Sequence, residues 1–353
     1  MSKTKYVGLD VHKATTVIAV LNATGHLIMQ TILATDAQLL REFFRGLSGS
    51  LSVVLEEGTH AAWLYALLKP LVKEVVVCNP RHNKLLEVGN KGDQLDAEKL
   101  AQLLRLGALK TVYQGNQEQR HLKDLARAYQ HLVADATRVM NRIKALYRGR
   151  GINCNGRQIY QPAQRQDWLA KLPEAGARFR CQLLFEELEK LQELRRTAKQ
   201  ELLKQGKRQP EYELLCSLPG IGPLRATLLL AFVGTPQRFR TKQQFWPYCG
   251  LAVITRTSAD HQVVNGVISK RHKVRGTRGL NPMHVPELKQ VFKDAALTAA
   301  RQEPCQSWYQ VRLDRGMRPE MARLSLARRL AAVTLILWQR KEKFDPVKFS
   351  TTH

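Results

Sequence analysis

Lys5-Tyr6-Val7-Gly8-Leu9-Asp10 reads as a buried strand that ends on an acid. What surrounds it decides the fold. Thr15-Thr16-Val17-Ile18-Ala19-Val20-Leu21-Asn22 is β-branched and reads as a second strand. Ala23-Thr24-Gly25-His26 supplies a turn, and Leu27–Ala34 returns as a third strand. Asp36 is placed to cap a helix over Ala37–Leu47, where its carboxylate can accept from the first amides. Leu51–Glu56 follows as a fourth strand, and His60–Leu71 as a helix rich in Ala, Leu and Trp. Glu74–Cys78 is a fifth strand closed by Asn79-Pro80, and a helix runs from Asp93 to Leu106.

Three strands in a meander, then helix, strand, helix, strand, helix, is the order of the ribonuclease-H-like fold. In that fold the acid of the first strand is central and the acid of the fourth ends beside it. Asp10 and Glu56 take those places. Asp93 and Asp96 are three residues apart, so they share one face of their helix. Carboxylates held together repel unless a cation lies between them. Mg²⁺, with Mn²⁺ as its substitute, is a hard cation suited to such oxygens. Paired ions can activate a nucleophile and stabilise the leaving oxygen during attack on phosphorus. Each acid has an ordinary alternative: a turn acid for Asp10, a helix cap for Asp93, a dipole-favoured acid for Asp96. Jointly, Asp10, Glu56, Asp93 and Asp96 read as a metal site. Adjacent strand residues face opposite ways, so only one of Glu56 and Glu57 can join it; Glu56 is preferred.

The chain has 353 residues, a formal net charge of +26 and a pI near 10.1. Such a charge implies a polyanionic partner, most often nucleic acid. Residues 1–110 hold 13 basic and 10 acidic side chains, whereas the remainder holds 43 and 20. The near-neutral third therefore reads as the site-bearing part and the rest as a polyanion grip. The six cysteines, at 78, 154, 181, 216, 249 and 305, show no metal-ligand spacing and read as reduced thiols. The start has no apolar signal core, and the apolar run near Ala331–Trp338 is too short to span a bilayer. A cytoplasmic, nucleoid-associated protein with no membrane partner is expected.

Residues 116–206 read as helical, with Leu122, Leu125, Tyr129, Leu132 and Val133, then Leu184, Leu188, Leu191 and Leu194, at helical spacing. Paired long helices, broken over Arg148–Gln166, fit this best. The expected division is 1–112 for the acidic domain, 113–208 for a helical arm and 209–343 for a mainly helical C-terminal domain. A flexible tail over 344–353 completes it. Leu218-Pro219-Gly220-Ile221-Gly222-Pro223-Leu224-Arg225-Ala226 resembles the hairpin of a helix-hairpin-helix motif. Gly220 and Gly222 would let the backbone approach a phosphate, with Arg225 beside them and amides of the next helix binding the anion. An unliganded helical corner is the alternative. Arg256, Lys270, Arg271, Lys273 and Arg275 form a basic cluster beside hydroxyls, suited to phosphate contact or to a solvated loop. His12, His60 and His261 each neighbour a candidate site and are assigned no catalytic role.

Taken together, the chain resembles the DEDD transposases of bacterial insertion sequences, the IS-one-ten family. The resemblance rests on Gly8-Leu9-Asp10-Val11-His12-Lys13, Val54-Leu55-Glu56-Glu57-Gly58-Thr59 and Gly92-Asp93-Gln94-Leu95-Asp96-Ala97. It continues through the Pro219–Ala226 hairpin and the Gly250-Leu251 loop leading to Ser258. It implies a RuvC-like N-terminal domain, a coiled-coil arm and a C-terminal transposase domain carrying a serine nucleophile. It also implies donor and target double-stranded DNA as substrates and a structured bridge RNA as guide. A dimer or tetramer would combine tetrad and serine across subunits. Family members commonly follow the second acid with Ala-Thr/Ser-Gly; here the run is Glu56-Glu57-Gly58-Thr59. Where they show paired serines and glycines, this chain has Thr257-Ser258-Ala259-Asp260. Ser258 is the preferred nucleophile, being less hindered than Thr257. A RuvC-like junction nuclease using water, or an inactive nucleic-acid-binding remnant, are the rival readings.

Overall fold

Strand-forming sequence builds a five-stranded sheet from β1 (Thr4–Val11), β2 (Thr15–Leu21), β3 (Leu27–Ala34), β4 (Ser50–Glu56) and β5 (Glu74–Cys78). The structure is a computed structural model that describes residues 4–80, 92–257, 261–264, 267–270 and 276–351. The chain divides into two units, Met1–Gly115 and Asn116–His353.

In the first unit the strand order is β3-β2-β1-β4-β5. β1 pairs antiparallel with β2 and parallel with β4, β2 pairs antiparallel with β3, and β4 pairs parallel with β5. Alternation sorts the side chains onto two faces. Val7, Leu9, Ile18, Val20, Val53 and Leu55 meet α1 (Ala37–Gly46) and α2 (Ala61–Leu68) through Leu40, Phe44, Leu64 and Leu68. Each such fully buried side chain is worth about 1.5–3 kcal/mol. The opposite face carries Val17, Ala19, Val54 and Val76, which meet Ala97 and Leu100 of α3 (Asp93–Arg105). Asp36 caps α1 as its sequence implies: Oδ1 accepts from the amides of Gln38 at 2.8 Å and Leu39 at 3.0 Å.

Gly8 sets how closely α3 crosses β1. A Cβ at this position would lie 1.9 Å from the Ala97 carbonyl oxygen and 2.8 Å from the Ala101 nitrogen. Only a bare backbone fits beneath the helix there.

In the second unit α4 (Gln117–Arg148) and α6 (Ala175–Lys207) pack along each other, with α5 (Arg165–Ala170) in the connection. Their own core contains Val139, Ile143, Tyr147, Trp168, Phe185 and Leu188. Leu194, expected in the apolar stripe, is instead 42% exposed. Leu122, Ala126 and Leu202 belong to a larger core built around α8 (Pro223–Val233). Every residue of α8 from Ala226 to Val233 is buried. α7 (Tyr212–Cys216), α9 (Lys242–Tyr248), α10 (Pro286–Ala299), α11 (Cys305–Asp314) and α12 (Pro319–Arg340) complete that helical core.

Two expectations differ from the structure. The segment read as a loop beyond Leu251 contains strands: β6 (Val253–Thr257) pairs with β9 (Gly276–Leu280), and β7 (His261–Val264) with β8 (Val267–Lys270). The β-branched residues of Val253-Ile254-Thr255 and Val263-Val264 account for it. The tail, expected to be flexible, forms α13 (Pro346–Thr351), because Phe349 is buried in the helical core. The six cysteines are free thiols. Among the described residues no helix is long and apolar enough to cross a membrane.

Candidate functional site

Asp10 lies two residues beyond Gly8 on β1, so it leaves the sheet on the face that α3 covers. Leu9 pairs in parallel register with Leu55, which sets Asp10 and Glu56 beside each other at the ends of adjacent strands. Val54 packs with Leu100 of α3, and Glu56, two residues on, shares that face. Glu57 follows the strand, is exposed, and donates its amide to the Cys78 carbonyl at 2.8 Å. Asp93 opens α3 and Asp96 stands on its first turn, where the helix dipole favours negative charge.

The closest grouping includes a residue that sequence reasoning left out. His12 Nε2 lies 3.1 Å from Asp10 Oδ2 and 3.4 Å from Asp93 Oδ2. One ligand atom each from Asp10, His12 and Asp93 fall within 4.8 Å of one another. Glu56 and Asp96 stand outside that set. The signal was the spacing Asp10-Val11-His12, since alternate positions along an extended segment project the same way.

The electrostatics show acids crowded together. Burial raises the Asp10 pKa above its ordinary value, Asp93 and Asp96 push it the same way, and His12 opposes them. Oδ1 of Asp96 is buried without a hydrogen-bond partner, and Lys99 Nζ stands 3.7 Å from it. A carboxylate-rich donor set, one imidazole and an orphaned buried oxygen suit a divalent cation. A perturbed acid within such a cluster, Asp10 here, is a pointer to a functional site.

The hairpin expected to meet phosphate is organised by packing. Gly220 has φ +70°, and a Cβ there would lie 2.3 Å from the Ala295 carbonyl oxygen of α10. Arg225 Nη1 donates to the Gly220 carbonyl at 2.7 Å and to Thr298 Oγ1 at 3.2 Å. The guanidinium thus ties the turn to α10. Gly222 is the N-cap residue of α8, with open space where a Cβ would be. Arg256 lies on β6, Lys270 on β8, and Thr257 is the last residue of β6. Ser258, Arg271, Lys273 and Arg275 lie outside the described residues.

Residues 7–149 match the DEDD model of IS110 transposases, and residues 212–310 match the model described as the transposase IS116/IS110/IS902 family. The chain is similar to the transposase for insertion sequence element IS1111A of Coxiella burnetii. Identity there is 25% over 201 residues, 56% of this chain and 54% of that protein. It is also similar to a probable family 20 transposase of Pseudomonas aeruginosa, 27% identical over 269 residues, 75% of this chain and 78% of that one. The match thus spans about half the length of the Coxiella protein. With both family models matched in order along one chain, this protein belongs to the IS110/IS116 family of insertion-sequence transposases.

Proposed function

We propose that this protein cuts and rejoins DNA strands to excise and insert a bacterial insertion sequence, with the acids of β1, β4 and α3 as its catalytic centre. The observation that carries the reading is the meeting of Asp10 and Asp93, far apart in sequence, within reach of one cation. The strand order, with β1 between β2 and β4, supports a ribonuclease-H-like, RuvC-like domain over 1–112. The helical pair α4 and α6 supports an arm over 113–208, followed by a transposase domain over 209–343.

Asp10, Glu56, Asp93 and Asp96 would hold Mg²⁺, or Mn²⁺ in its place. Bound there, the ion would supply positive charge to a phosphodiester under attack. Asp10 and Asp93 bring their carboxylates together, and Asp96 Oδ1 is buried without a hydrogen bond, with Lys99 Nζ 3.7 Å away. Ser258, with Thr257 as the neighbouring hydroxyl, is the nucleophile by resemblance to the family. Its oxygen forms a bond to phosphorus as the bond to the leaving strand oxygen breaks. The hydroxyl of the incoming strand then displaces it, which conserves the phosphodiester. A homo-oligomer would bring tetrad and serine together. The basic remainder supports donor DNA, target DNA and a structured bridge RNA as partners. Amides at the start of α8, with Gly222 before them, are the hairpin's anion-binding groups in this reading.

The test is strand exchange on donor and target duplexes with the RNA encoded beside the gene. Product is expected with the natural chain and none above background with Asp10→Ala or Asp93→Ala. Wild-type yields from either variant would remove the acids from the chemistry. A trapped protein–DNA adduct, absent in Ser258→Ala, separates strand transfer from hydrolysis by water.

A further inference from the structure

We infer that His12 is a further protein ligand of the divalent cation, beside the acids, and that it tilts the centre toward Mn²⁺ over Mg²⁺. This rests on the metal-dependent reading of the acidic centre and adds a residue and a preference to it.

The position of His12 is built rather than incidental. Its amide donates to the Thr15 carbonyl at 2.9 Å, and its own carbonyl accepts from Thr35 Oγ1 at 2.9 Å. Thr35 Oγ1 lies 2.9 Å from Thr16 Oγ1, so the turn between β1 and β2 is locked to the segment that follows β3. The backbone therefore holds the imidazole at the mouth of the acidic centre. Its Nε2 faces two carboxylates from different elements, at 3.1 Å and 3.4 Å. Ligand atoms bonded to one ion at about 2.1 Å and at right angles lie about 3.0 Å apart. The spacing around His12 is close to that of neighbouring ligands on a coordination sphere.

Donor chemistry then sets the preference. Mg²⁺ favours oxygen and keeps water readily, so it gains little from an imidazole. First-row transition ions bind nitrogen more strongly, and Mn²⁺ is the one that also accepts a carboxylate-rich set. A centre of Asp10, His12 and Asp93, with Asp96 beside it, is therefore more discriminating than one of carboxylates alone. A histidine that only hydrogen-bonds Asp10 would orient that carboxylate and leave the choice of ion unaffected.

The experiment uses the full chain without nucleic acid. Binding of Mn²⁺ and of Mg²⁺ is titrated by calorimetry, and the Mn²⁺-loaded protein is examined by electron spin echo for coupling to ¹⁴N. The natural chain should bind Mn²⁺ more tightly and show the nitrogen coupling. His12→Ala should lose the coupling and about tenfold in Mn²⁺ affinity, with Mg²⁺ affinity changed less than about twofold. His12→Gln keeps a hydrogen-bond donor for Asp10 and should behave like His12→Ala. Loaded natural protein without nitrogen coupling would overturn the inference, as would His12→Gln with undiminished Mn²⁺ affinity. Neither result touches the acidic centre itself. That reading fails instead if the natural chain binds neither ion, or if Asp10→Asn binds both as well as the natural chain does.

Discussion

At Gly8 a single hydrogen decides whether the acids can meet. A methyl group there would overlap the backbone of α3, so the helix would have to lift from the sheet. Overpacking of this kind costs about 1–3 kcal/mol, and more where backbone rather than a side-chain tip must move. Gly8→Ala should therefore unfold at lower urea concentration than the natural chain. It should also bind divalent ions more weakly, because α3 carries Asp93 and Asp96 away from Asp10. Calorimetric titration of Mn²⁺ beside a urea melt checks both. Unchanged ion affinity in a destabilised Gly8→Ala would mean that α3 shifts without separating the acids.

At the scale of elements, α1 offers a pH-dependent test. The amides of Leu39 and Gln38 hold the Asp36 carboxyl below its ordinary value of 3.8. A depressed folded pKa stabilises above the unfolded value and is lost as pH falls through the folded one. Asp36→Ala should melt a few degrees below the natural chain at neutral pH. The gap should close as pH drops below 3.8. Arg225 gives a second test, since its ties to Gly220 and Thr298 hold the hairpin to α10. Arg225→Met should cost about 1–3 kcal/mol in a denaturant melt. If this arginine serves packing alone, the salt dependence of duplex binding stays unchanged; a slope reduced by about one marks a phosphate contact. The five strands, α1 and α3 were legible because β-branched runs, turn residues and a capping acid all agree there. The strands over 253–280 were not, because glycines and cations outweigh their short apolar runs. His12 escaped because its two-residue spacing from Asp10 gains chemical meaning only once Asp93, distant in sequence, is placed beside it. The packing role of Arg225 depends on Thr298, 73 residues away, which no local pattern reveals.

Over the whole molecule, charge dominates. A net of +26, gathered mainly after residue 110, should make duplex binding strongly salt-dependent. With 6–10 phosphates neutralised, affinity should fall by about 10³–10⁵ between roughly 50 and 200 mM salt. Fluorescence anisotropy on a labelled duplex measures this, and a flat response would remove phosphate contact as the basis of binding. The crossing of α3 over β1 has a separate consequence, one of timing. A ribosome delivers Asp10 early and Asp93 only after every strand of the sheet has been made. A chain released before that point lacks half of its four acids and the helix that would carry them. Genes interrupted there would yield fragments unable to assemble the centre. If the acids are the catalytic centre proposed above, half-made copies would be unable to cut the host's chromosome, with no inhibitor required.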